Sequence, residues 1–185
     1  QDTIDYNATP GMGDSAVLHK AMGFFLREGL GATAWPSAPN IHEQRKMLPI
    51  LEGFAKAMVL CASGDGELAD AEREWILGFC ANAGATYELI EELRQLQPGD
   101  LNPMDLLQKT ERPGLFTHAL IFYAIKASDA DGVLEAGELA TIKFMAQVLD
   151  VDEPTVDRLV ELHREEQAFV AKKNALLFPN GHPWA

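Results

Sequence analysis

Carboxylates gather beside a glycine turn twice in this chain. The stretch Ser63-Gly-Asp-Gly-Glu-Leu-Ala-Asp-Ala-Glu72 recurs as Asp129-Ala-Asp-Gly-Val-Leu-Glu-Ala-Gly-Glu138, setting Asp65 on Asp131, Gly66 on Gly132, Leu68 on Leu134 and Glu72 on Glu138 at a constant offset of 66 residues. Oxygen-rich turns of this kind suit a hard divalent cation, calcium or magnesium before any other, which collects roughly six to eight oxygen ligands. The candidate ligands are Asp65 and Glu72 in the first turn and Asp129, Asp131, Glu135 and Glu138 in the second.

Two other readings compete for the same residues. Against the calcium loop of the EF-hand, with glycine sixth, Gly132 places Asp129 third, Asp131 fifth, Glu135 ninth and Glu138 twelfth, but the first position is Ala127, and in the other copy Cys61. Without that anchoring carboxylate a lone loop belongs at the weak end of calcium binding, about 10⁻⁴ M or weaker. The purely structural reading stays open as well. Asp-Gly is a common turn pair, and a glutamate in the first turn of a helix can cap it, although Ala69 and Glu135 are poor cap partners for Glu72 and Glu138.

The elements that must position these residues read as helices throughout. The register holds past the turns, with Ile76 on Ile142, Thr86 on Asp152, Ile90 on Val156, Leu93 on Leu159 and Leu96 on Leu162. Each copy is therefore expected as helix, acidic turn, helix, helix: residues 47–97 and then 113–165, inside a single all-α domain spanning 1–185. In the first copy the helices are Ile50 to Ala62, with Pro49 breaking or kinking its start, then Ala71 to Ala83, then one capped by Thr86. In the second, Leu115 to Ala127 is apolar on nearly every face and reads as a central core helix. The last helix begins at Asp152 and runs past Lys173, with Val156, Leu159, Val160 and Val170 inward. Residues 1–46 form an N-terminal helix capped by Asp14, followed by a linker around Trp35 and a capping box at Asn40. Met104 to Lys109 reads as a short connecting helix, and the breaker-rich tail 174–185 as an irregular strap.

Composition excludes several functions. Twenty-eight acidic residues against fifteen basic ones give a net charge of −13, which repels nucleic acid and anionic lipid and favours cations or a basic protein partner. No apolar run is long enough for a membrane span, and a cytoplasmic protein is expected. Gln1 at the start leaves a processed or organellar protein as the alternative. Cys61 and Cys80 align with Ala127 and Ala146, so both read as inert packing. Histidines 19, 42, 118, 163 and 182 are scattered, and neither a phosphate loop nor a nucleophile elbow occurs. The chain is expected not to be an enzyme.

The pattern of apolar helix, Ala62-Ser-Gly-Asp-Gly or Ala127-Ser-Asp-Ala-Asp-Gly132, glutamate, and amphipathic helix resembles the TerB-like family, named for a bacterial tellurite-resistance protein. Coverage runs from about Met47 to Leu162. The resemblance implies duplicated helical units in a stress-response setting, with metal chelated by acidic residues, here Asp65, Glu72, Asp131 and Glu138. The function expected is thus a non-catalytic binding module for a divalent cation. The alternative is a metal-free assembly subunit that docks through its acidic surface, the Trp35 linker and the aromatic tail.

Overall fold

The computed structural model describes residues 41–102 and 116–181, with side chains from Leu48 onward. The expectations of an N-terminal helix, a linker around Trp35, a capping box at Asn40 and a short helix over 104–109 fall outside these residues. The described residues form an all-helical single domain of six α-helices: α1 (Ile41–Ala62), α2 (Asp70–Asn82), α3 (Tyr87–Gln95), α4 (Thr117–Ser128), α5 (Ala136–Val148) and α6 (Glu153–Leu177), with a 3-10 turn at Pro98–Asp100.

Local chemistry sets the bounds. Thr86 and Asp152 each accept the backbone N–H three residues on, from Leu89 at 3.3 Å and Thr155 at 2.8 Å, and so start α3 and α6. The turns before them use left-handed residues at matched places, Gly84 with φ 87° and Asp150 with φ 59°. The bounds of α2 and α5 differ by the same 66 residues as the acidic turns, as do the first residues of α3 and α6.

Alanine-rich faces let α1 and α4 pack closely as the central pair, with α2, α3, α5 and α6 around them. Met58, Ile76, Leu93, Ile121, Ile125, Ile142 and Val156 are fully buried in one continuous core. Leu68 and Leu134 both pack against it, one from each acidic turn. Burying a side chain of this size stabilises by roughly 1.5–3 kcal/mol, so the central pair fixes where the turns end up.

Three expectations need correction. Pro49 does not end or start α1; the helix runs through it for 22 residues. The lost N–H bond is offset by the apolar face that α1 buries along α4. The tail does not form an irregular strap from residue 174, because α6 continues to Leu177. Val170 is not inward but exposed, since α6 has outgrown the body by that point. The difference from α3 lies in the breakers. Pro98-Gly99 halts α3, and the Arg73 guanidinium donates to the carbonyls of Leu93 at 3.1 Å and Leu96 at 2.8 Å that its end leaves open. At the corresponding places α6 has Arg164-Glu165, and α5 has Leu139.

Gly78 stands exposed inside α2 with nothing within 4 Å of where a Cβ would sit. Gly78→Ala should therefore raise stability by about 0.5–1 kcal/mol in chemical denaturation, by restricting the unfolded chain. An unchanged or lower midpoint would show that this face of α2 is not free.

Candidate functional site

Each acidic turn builds itself in the same way. Asp65 Oδ1 accepts the Glu67 N–H at 3.0 Å and Asp131 Oδ1 the Val133 N–H at 2.9 Å, while Gly66 (φ 109°) and Gly132 (φ 96°) supply the left-handed step. One oxygen of each aspartate is thus committed to the turn. The glutamates follow suit: Glu72 Oε2 accepts the Ala69 N–H and Glu138 Oε2 the Glu135 N–H, both at 2.7 Å. Neither Ala69 nor Glu135 returns a side-chain bond, so only one arm of a capping box exists in each turn. That arm does not depend on the type of the cap residue, which is why alanine and glutamate suffice there.

The turns meet through glycine. A Cβ on Gly64 would lie 2.6 Å from the Gly137 carbonyl oxygen and 2.7 Å from Glu138 Cα, and one on Gly137 would lie 2.7 Å from the Gly64 oxygen. The first turn therefore rests directly on the backbone that opens α5. This contact carries Glu72 and Glu138 into the seam, where they are 3% and 2% exposed and hydrogen-bonded to each other.

Two carboxyl groups can share a hydrogen bond only if one is protonated. Burial, then the bond to Glu72, pushes Glu138 up to about 8, against the opposing pull of the Glu135 N–H, and the charges of Glu72 and Asp65 add to the rise. Glu72 is raised as well, first by burial and also by the charges of Asp131 and Asp65. Both shifts favour keeping a proton on the pair, which exposed aspartates flank.

The other candidates sit differently. Asp129 turns toward α6, where its Oδ2 lies 2.7 Å from His163 Nε2 and accepts from Gln167 Nε2 at 2.6 Å. Glu135 is exposed and contributes its backbone N–H to Glu138. Among the described residues no three His, Cys, Asp or Glu side chains stand ready to grip one ion. The donor chemistry nevertheless fits a hard cation. Asp65, Glu72, Asp131 and Glu138 each have one oxygen taken by a backbone N–H and another that is not. Beside the seam opens a groove of about 510 Å³ whose lining includes Leu60, Gly64, Gly137, Thr141 and Phe144.

The thiols offer no competing chemistry, since burial pushes both Cys61 and Cys80 up to about 12. Sequence reasoning missed the mutual bond of Glu72 and Glu138 and the Asp129–His163–Gln167 tie. The signal for the first was present in two glutamates at equivalent first-turn positions, with glycines at 64 and 137 that permit backbone contact. Nothing in the repeat points to the second, because the positions matching Asp129 and His163 are Ser63 and Gln97.

No helix among the described residues is long and apolar enough to cross a membrane. No family model matches the chain, and no curated protein matches its sequence. Among solved structures it is similar to the crystal structure of a tellurite resistance protein from Nostoc punctiforme, with a TM-score of 0.73 and 27% identity, covering 91% of this chain and 99% of that one.

Proposed function

We propose that this chain, similar over 91% of its length to a tellurite resistance protein at 27% identity, is a non-catalytic, cation-responsive binding module of the TerB-like kind in a stress-response setting. Its working part is the seam between the acidic turns, where a divalent cation exchanges with the proton shared by Glu72 and Glu138. One observation carries this reading: the two buried carboxyls bond to each other with Asp65 and Asp131 beside them. Asp65, Glu72, Asp131 and Glu138 would hold the ion, calcium or magnesium by their hard oxygen donors. The ion would supply the positive charge that allows both glutamates to ionise while buried. The chain's part is to hold two carboxylates from opposite halves at one place. The turns fix the aspartates, the first helical turns of α2 and α5 fix the glutamates, and the Gly64–Gly137 contact keeps the halves together. Asp129, committed to α6, and Glu135, in solvent, stand outside this set.

Chelator-treated protein should melt higher when calcium, magnesium, manganese or zinc is added, by about 1.4 kcal/mol of stability at ten times the dissociation constant. Asp131→Asn keeps the Oδ1 that closes the turn but removes the charge, and should reduce this gain without changing the ion-free midpoint by more than about 0.5 kcal/mol. If none of the four ions raises the melting temperature at about 10 mM, where a site with a dissociation constant near 10⁻⁴ M is filled, the reading is wrong.

The metal-free alternative is favoured by one different observation, the exposed apolar end of α6, which includes Phe169 and Leu176. The Trp35 linker and the last residues of the tail, which would serve that alternative, lie outside the described residues.

A further inference from the structure

Among the described residues the far end of α6 takes no part in the core. Its counterpart α3 has 9 residues and α6 has 25. Beyond Val160 only His163 is buried as far as Leu177. A surplus helix of this kind would ordinarily be polar all round. Here Leu162, Phe169 and Leu176 repeat at seven-residue spacing in one row, with Val170 and Leu177 in the row beside it. Phe169 is 66% and Leu176 76% exposed. A seven-residue apolar repeat is the seam of one helix meant to lie along another.

Charge along the helix identifies the other helix. Glu161, Glu165 and Glu166 precede Phe169, and Lys172 and Lys173 follow it. We propose that a second copy of this chain docks on this row, with the two α6 ends antiparallel and crossing at Phe169. That arrangement sets Leu162 of each copy level with Leu176 of the other. It also brings Lys172 and Lys173 of each level with Glu165 and Glu166 of the other. A parallel pairing would set glutamate on glutamate and lysine on lysine, in a chain that already carries −13. Glu166 also pairs with Lys126 of its own chain at 2.7 Å, which holds this part of α6 on the body while Leu162 and Phe169 stay exposed beside it.

The contact is modest. About sixteen residues of helix at 1.5 Å each give a seam of roughly 24 Å, at the small end of specific interfaces. The dimer should therefore dissociate on dilution within the micromolar range and weaken as salt screens the lysine–glutamate contacts.

Sedimentation equilibrium of the full chain tests this. The expected result is a reversible dimer with a dissociation constant near 10⁻⁵ M at low salt, weakened about tenfold or more by Phe169→Glu or by K172E with K173E. Adding E165K and E166K to the lysine reversal should restore it. Under mild oxidation Phe169→Cys should cross-link to itself, because the antiparallel crossing places the two residues face to face, whereas Leu162→Cys should cross-link only to Leu176→Cys. Circular dichroism checks that each variant keeps its helices. A chain that stays monomeric at several hundred micromolar would overturn the proposal. So would a dimer indifferent to Phe169→Glu, or one in which Leu162→Cys cross-links to itself.

Discussion

Stability should fall as pH rises from about 5 to about 8, at a slope approaching 1.4 kcal/mol per pH unit, and Glu138→Gln should flatten that fall. Glu138 is pushed up to about 8 by burial and by its bond to Glu72, while in the unfolded chain it titrates near 4.3. Between these values the folded chain holds one more proton than the unfolded chain, so stability decreases with pH. The contribution is fully present below the unfolded value and is lost as pH passes through the folded one. Glutamine cannot ionise, yet its amide can donate to Glu72 and its carbonyl can accept the Glu135 N–H. The variant should match the wild type near pH 5 and exceed it above pH 8. The acid limb has a separate origin: Asp152 is held below the usual carboxylate range by its bonds to Thr155, so its contribution is present at neutral pH and is lost only in stronger acid. Urea unfolding of both proteins across this range, at constant ionic strength, decides the matter. Parallel curves would mean that the Glu72–Glu138 proton does not exist.

Gly64→Ala and Gly137→Ala should each cost about 1–3 kcal/mol, the usual penalty for forcing volume into a packed contact. The reason is specific. Each new Cβ would lie within 2.7 Å of backbone on the opposite side of the seam, and backbone cannot swing aside as a long side chain can. The positions matching them in the other half are Ala130 and Ala71, so alanine suits the turn itself and only the contact between halves forbids it. Because both variants open one gap, their costs should not add. Both should also bring Glu138 back toward the ordinary glutamate range, since water would reach the pair. Midpoints within about 0.5 kcal/mol of wild type would place the close contact elsewhere.

Much of this fold is legible residue by residue. The apolar faces of Ile121, Ala124 and Ile125, the caps Thr86 and Asp152, and the glycine turns at Gly66 and Gly132 all announce helix, turn and core through local chemistry. The misreadings arise where tertiary packing overrules a local signal. Pro49 is a helix breaker by itself, but α1 buries enough surface to run through it. The breakers at Pro179 and Gly181 end the chain's last helix, yet Ala175 to Leu177 before them are good helix formers and stay in α6. The site was half legible. Duplicated carboxylates beside glycine single out Asp65, Glu72, Asp131 and Glu138, but no spacing rule shows that the two glutamates touch. That depends on a backbone contact between residues 64 and 137, which only the packed halves create. Asp129 carries the same local signal as Asp131 and is drawn instead to His163 and Gln167, partners supplied by a helix far along the chain.

The most direct test of the account is a carbon-13 titration of the glutamate side-chain carboxyls in the chelator-treated chain, repeated with saturating calcium. One glutamate should titrate with a midpoint near 8, and this titration should be absent in Glu138→Gln. On calcium addition that midpoint should fall below neutrality, with release of about one proton per ion at pH 7. If every glutamate titrates below about pH 5.5 without the ion, or if calcium binds and releases no proton, then the Glu72–Glu138 seam neither shares a proton nor exchanges it for a cation.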